Sequence, residues 1–170
     1  MKRLLFFINP NAGHAEIRGT LMEVLEIFSA GGYEVTVHMT TGPRDLTRQI
    51  AARGAQYDLI VCTGGDGTLN EVIHGLATAN IDVPLGYIPC GSTNDFAASH
   101  GLSTDIIEAA EHIASGYSTR YDIGCFGGRH FTYVAAFGAF SWLSYTTDQN
   151  MKNVLGHTAY ILDAIKDLYK

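Results

Sequence analysis

Three times before residue 100, a short apolar run is cut off by a glycine- or asparagine-containing loop, and residues at helical spacing follow. The loops are NPNAG (9–13), GGDGT (64–68) and PCGSTND (89–95). An apolar run of this length, ended by such a loop, reads as a buried strand. Strand, loop and helix in repeated succession leave few architectures open, because parallel strands need helical crossovers on the sheet faces.

The rest of the pattern agrees. RLLFFI (3–8) is the first strand, and residues 15–31 carry Ile17, Leu21, Val24, Leu25 and Phe28 at helical spacing before Gly31 and Gly32. YEVTVHMT (33–40) alternates like a strand, and residues 43–55 read as a helix with Pro43 near its start. DLIVCT (58–63), a helix over 68–78 and the strand PLGYIP (84–89) come next, followed by two helical segments, NDFAASHGL and TDIIEAAEHIAS, with Gly116 as a stop. The expectation is an α/β fold with a parallel sheet and helices on both faces. In such sheets ligands bind beyond the carboxyl ends of the strands, where all three loops stand.

After about residue 120 the rhythm changes. STRYDIGCF and RHFTYVAAF read as two extended segments joined by Gly127-Gly128, a hairpin turn. Residues 150–169 read as a helix with Leu155, Ala159, Leu162, Ile165 and Tyr169 on one face. The expected organisation is a nucleotide-binding α/β domain over 1–122 and the incomplete beginning of a second, β-rich domain over 123–170.

Each loop precedes a helix, whose N-terminus offers unpaired N–H groups and a partial positive charge to phosphate oxygens. Asp66 does not fit that role, since a carboxylate repels phosphate. Three readings of it stay open: it holds Mg2+ between itself and phosphate, it takes a proton from an attacking hydroxyl, or it merely caps a tight turn as a helix N-cap. Ser92 and Thr93 can donate hydroxyls, while Asn94 or Asp95 could cap the following helix. His14 follows the first loop and could touch phosphate.

Several functions lose support. The net charge of −6 and the lack of a Lys/Arg run argue against nucleic acid. GxxxxGK[ST] is absent, as is GxGxxG after the first strand, so neither common phosphate fingerprint applies. No GxSxG surrounds Ser92 or Ser99, and the histidines show no HxH or HxxxH pairing. Cys62, Cys90 and Cys125 lack metal-ligand spacing and read as buried thiols of a reducing compartment. The first residues do not resemble a signal peptide, and the longest apolar stretch, FTYVAAFGAFSWL (131–143), falls short of the ~20 residues a membrane span needs.

Taken together, INPNAG (8–13), Thr40 in MTTGPRDL, VCTGGDGTLNEVIHGL (61–76) and IPCGSTNDFA (88–97) resemble the catalytic domain of the diacylglycerol kinase and lipid kinase family, which includes sphingosine and ceramide kinases. YDIGCF (121–126) and LGHTAYILDAIKDL (155–168) match in outline. GGDGT by itself is also found in phosphofructokinases and NAD kinases, and the fold implied is the Rossmann-like sheet of that wider group. The resemblance implies transfer of the γ-phosphate of ATP to a lipid hydroxyl such as that of diacylglycerol. ATP would contact Asn9, Pro10, Asn11, Ala12 and Gly13, then Thr40, then Gly64, Gly65, Asp66, Gly67, Thr68, Leu69, Asn70 and Glu71, and finally Gly91, Ser92 and Thr93. Asp66 would be the catalytic carboxylate, and Asp66, Asp95 and Asp122 would organise Mg2+ directly or through water. Ser92 stands where the family often has Thr, and the family usually has Asn near Tyr133, in a segment like F-x-N-x-A. Family members continue into a β-sandwich that carries an acidic residue proposed as the base, so the chain is expected to be impaired alone, with that C-terminal domain as its missing partner. The expected setting is cytoplasmic, with peripheral contact to the membrane that presents the lipid; homodimerisation stays open. Two alternatives remain at this level, an NAD-kinase-like enzyme and a nucleotide-binding module without catalysis.

Overall fold

The computed structural model describes residues 1–10 and 17–133. The helix expected over 150–169, nearly all of the apolar stretch 131–143, and Asn11, Ala12, Gly13 and His14 lie outside the described residues.

Strand β1 (Lys2–Ile8) is followed by helix α1 (Ile17–Ala30), strand β2 (Tyr33–Met39), helix α2 (Asp45–Arg53) with a short 3-10 turn, and strand β3 (Leu59–Gly64). Helix α3 (Asp66–Ala79), strand β4 (Leu85–Pro89), helix α4 (Asp95–His100) and helix α5 (Ile106–Ala114) come next. The four strands form one parallel sheet in the order β2-β1-β3-β4. The expected α/β fold is the observed one.

The alternation of side chains along β1 divides the core in two. Leu4, Phe6 and Ile8 face α1 and α5, where they meet Val24, Phe28, Ile106 and Ala110. Leu5 and Phe7 face α2, α3 and α4, against Leu46, Ile50, Leu69, Val72 and Phe96. β3 is buried along its whole length, as a central strand covered on both faces must be.

The chain leaves β1 for β2 on one side, then crosses to β3 on the other. β1 and β3 are therefore neighbours whose connections depart in opposite directions. Such a switch point opens a crevice beyond the strand ends, and the β1 exit at Asn9 and the β3 exit at Gly65 flank it.

A short antiparallel hairpin closes the described part, with β5 (Gly124–Phe126) paired to β6 (Arg129–Phe131). Gly127 and Gly128 both have positive φ (57° and 76°), which is the turn the sequence pattern anticipates. The hairpin leans on α3, where Asn70 Oδ1 accepts the Thr132 N–H at 3.1 Å and its hydroxyl at 3.0 Å. Beside it, His74 meets His130, Nδ1 to Nδ1, at 3.4 Å. Cys62 and Cys90 are buried as expected, but Cys125 is exposed on the hairpin because β5 has no second layer over that face among the described residues.

Candidate active site

Strand register alone collects the loops. Ile8 stands level with Met39 on one side and Thr63 on the other, and Gly64 with Pro89. The chain therefore leaves the sheet at Asn9, Thr40, Gly65 and Cys90 along one rim. Two backbone bonds extend the ladder into it, Thr40 N–H to Ile8 O at 2.9 Å and Cys90 N–H to Gly64 O at 2.8 Å.

The exits of β3 and β4 touch backbone to backbone. A Cβ added to Gly91 would lie 2.4 Å from the Cα of Gly65 and 2.8 Å from Asn94 Oδ1. No side chain fits at that distance, so the close approach requires glycine at 91; at Gly65 a Cβ would meet the Gly91 Cα at a tight 3.2 Å. At Gly64 the obstacle is the Thr68 side chain, 2.4 Å from where a Cβ would sit.

Asp66 links the two exits. It is the first residue of α3, and the N-cap position belongs to Gly65, which has no side chain to cap the helix. The N-cap reading of Asp66 is thus corrected, because the helix starts at Asp66, three residues before its apolar pattern begins at Leu69. The Asp66 carboxylate turns instead to the next helix: Oδ2 accepts the Asp95 N–H at 2.9 Å and Oδ1 the Phe96 N–H at 3.0 Å. It satisfies the first N–H groups of α4, which would otherwise lack partners. At the β3 and β4 exits, the N-terminus of α4 is closed by the Asp66 carboxylate, while α3 has no cap from its own N-cap residue.

Asn94 is the residue that sequence reasoning undervalued. It adopts a left-handed conformation (φ 53°), and its side chain caps nothing. Oδ1 accepts the Gly91 N–H at 2.8 Å, and Nδ2 donates to Gly91 O at 2.9 Å. Tyr87 donates its hydroxyl to the same Oδ1 at 3.4 Å. Burial, with Cys62, Asp66 and Cys90 nearby, pushes the Tyr87 phenol well above the usual tyrosine range, so it remains a donor. The signal for Asn94 was its type and place, since Asn tolerates left-handed backbone and bonds locally within loops.

The run from Gly64 to Glu71 divides by what each residue touches. Thr68 is nearly buried, and its Oγ1 accepts Asn9 Nδ2 at 3.0 Å, which ties the first loop to the second. Leu69 is a core residue whose N–H is spent on Gly65 O. Asn70 serves the hairpin, and Glu71 Oε1 accepts the Leu46 N–H at the start of α2, at 3.0 Å. Gly65, Asp66 and Gly67 remain as the part of the run that faces the rim. Pro10 follows Asn9 out of β1, while Ser92, exposed, and Thr93 lie in the loop that Asn94 fastens.

Asp95 begins α4, directly beside the Asp66 carboxylate. Asp122 is exposed, and the residue before it, Tyr121, packs edge-on against Phe96 and His100 of α4. Among the described residues no three His, Cys, Asp or Glu side chains converge as a metal cluster, so these three aspartates do not form one direct ligand shell.

Fold and rim define the class of protein first: a doubly wound α/β domain with its ligand crevice at the carboxyl ends of β1, β3 and β4. Comparison with known proteins narrows this. The family model of the diacylglycerol kinase catalytic domain matches residues 3–126, and the chain belongs to that family. A diacylglycerol kinase of Bacillus subtilis (strain 168) is 39% identical over 172 residues, covering 99% of this chain and 56% of that protein. One from Staphylococcus saprophyticus is 38% identical, covering 98% of this chain and 55% of the relative. A crystal structure of a putative diacylglycerol kinase from Bacillus anthracis superposes with a TM-score of 0.71 at 30% identity, over 76% of this chain and 45% of that one. The chain therefore spans about half the length of the curated relatives it matches.

Proposed function

We propose that this chain is the nucleotide-binding half of a lipid kinase that moves the γ-phosphate of ATP to a lipid hydroxyl such as that of diacylglycerol. The observation that carries the reading is the joined exit of β3 and β4, where Gly65 meets Gly91 and Asp66 spans to α4. Phosphoryl transfer asks a protein for positioning and charge neutralisation more than for covalent chemistry. A fixed backbone surface at an uncapped helix N-terminus supplies the positioning.

The phosphates would lie against the start of α3, with the 9–13 loop, Thr40, Gly91, Ser92 and Thr93 around them. The Asp66, Asp95 and Asp122 carboxylates would organise Mg2+, directly or through its bound waters. The residues fit that ion, because Mg2+ takes one or two carboxylates and keeps several waters, and each Asp66 oxygen that accepts one N–H has a second lone pair. Bound Mg2+ would offset charge on the transferred group. The hairpin from Gly124 is read as the opening of a second, lipid-side domain. The lipid would be met at a membrane surface; among the described residues no helix is long and apolar enough to cross one.

Titration calorimetry of the 170-residue chain with MgATP tests the first half of the proposal. Transfer of label from [γ-32P]ATP to diacylglycerol micelles, with NAD as the competing acceptor, tests the second. Binding of MgATP, with label on the lipid when the chain is extended to the length of its relatives, is the expected result. No MgATP binding, or label on NAD alone, overturns the reading.

A further inference from the structure

The loop after β2 is held by a carboxylate at the start of α2, and the start of α2 is held in turn by a carboxylate on α3. Asp45, the first residue of α2, is only 3% exposed. Its Oδ2 accepts the Thr41 N–H at 3.0 Å, the Thr41 hydroxyl at 3.1 Å and His38 Nε2 at 3.0 Å, while Oδ1 accepts Arg48 Nη2 at 3.3 Å. An aspartate in the first turn of a helix ordinarily stays in solvent near the unpaired N–H groups. This one turns back over the strand exit and fastens residues on both sides of Thr40. The His38 bond first, then the Thr41 N–H, hold its carboxyl well below the usual carboxylate range, so it stays charged in the clamp.

The second carboxylate works from the other side. Glu71 lies on α3, the helix that Asp66 begins, and its Oε1 takes the Leu46 N–H at 3.0 Å. Thr47 Oγ1 donates to the Glu71 carbonyl at 3.4 Å. The start of α2 is thereby bonded to α3, and through Asp45 the Thr40–Thr41 exit is bonded to the start of α2. The chain of contacts runs from Thr41 to Asp45, Leu46, Glu71 and the glycine-aspartate turn. It avoids the sheet, so it sets the distance between the β2 exit and the α3 N-terminus independently of strand register.

We infer that Asp45 and Glu71 are positioning residues that fix the Thr40–Thr41 exit against the α3 N-terminus so that both meet one MgATP, an inference that rests on the nucleotide reading above. Glu71 then acts through Leu46 rather than by touching the nucleotide. Asp45 acts through Thr41.

The test is calorimetric MgATP binding by the 170-residue chain and by Thr41→Val, Asp45→Asn and Glu71→Met, which has no acceptor for the Leu46 N–H, each with its urea midpoint measured by far-UV circular dichroism. Ser103→Ala, which breaks the 2.6 Å bond to Glu108 at α5, is the stability control remote from the rim. Misplacement of a binding group by a fraction of an ångström predicts affinity weakened on the order of tenfold in the three rim variants. Ser103→Ala lowers the midpoint and leaves affinity unchanged. If the rim variants lower only the midpoint and bind MgATP like the parent, the two carboxylates are merely structural and the inference is overturned. Should Asp45→Asn fail to fold, Thr41→Val and Glu71→Met still decide, because each removes a single side-chain bond, to Asp45 and to the Leu46 N–H respectively. A parent chain that binds no MgATP overturns the nucleotide reading itself, an outcome distinct from equal binding by parent and variants.

Discussion

Replacement of Asp66 by asparagine is the obvious way to remove the carboxylate proposed above to organise Mg2+, and the structure gives it a second effect. The two oxygens accept the Asp95 and Phe96 N–H groups at 2.9 and 3.0 Å. Asparagine keeps one carbonyl acceptor and turns an NH2 group toward the other N–H, so one bond to a charged acceptor is replaced by two opposed donors. A hydrogen bond to a charged group contributes about 1.5–3 kcal/mol. Asp66→Asn should therefore lower stability by about 2 kcal/mol, and Asp66→Ala, which loses both bonds, by about 3–5 kcal/mol. Against a typical total of about 5–15 kcal/mol, the asparagine variant stays folded at room temperature while the alanine variant is marginal. Urea denaturation followed by circular dichroism measures both losses. Hydrogen exchange should rise most at Asp95 and Phe96, the two amides released. Both variants within about 0.5 kcal/mol of the parent, the range of ordinary surface changes, would refute the claim that Asp66 anchors α4. Loss of activity in Asp66→Asn could then be assigned to chemistry alone; if the anchor is real, the activity loss mixes chemistry with displacement of the β4 exit.

Two further outcomes follow from the same geometry. Gly91→Ala forces a methyl against the Gly65 backbone, which cannot rotate away as a side chain would; the cost should be about 1–3 kcal/mol, with MgATP affinity falling alongside, both measurable by denaturation and calorimetry on one sample. Asp45 has a carboxyl held below its unfolded value, so its contribution to stability is fully present above about pH 4 and fades as pH falls toward the folded value. Urea midpoints taken between about pH 5 and pH 2 should fall less steeply in Asp45→Asn than in the parent, and equal slopes would remove His38 and Thr41 as its partners.

Much of the fold was legible because it rests on short-range patterns. The five-residue run LLFFI and the spacing of Val24 and Phe28 need no tertiary knowledge to be read. The start of α3 was misplaced because its first residues, Asp66 and Gly67, are poor helix formers. Apolar periodicity begins only at Leu69. The site was legible as a set of loops on one rim, since parallel strands in register bring their exits together. The work of individual side chains within it was not. Asp66 bonds to amides 29 and 30 residues away, and Glu71 to one 25 residues earlier; local sequence carries no record of such pairings. Asp45 reads as an ordinary first-turn aspartate, and only the packed structure turns it inward.

The contact between Gly65 and Gly91 also sets limits for anyone who would redesign this surface. Gly91 excludes every side chain, and a Cβ at Gly65 would already press on the Gly91 Cα at 3.2 Å, so enlarging one leaves nothing to trim on its counterpart. A library aimed at this rim should keep that pair constant and spend its diversity on Ser92 and Thr93, of which Ser92 is exposed.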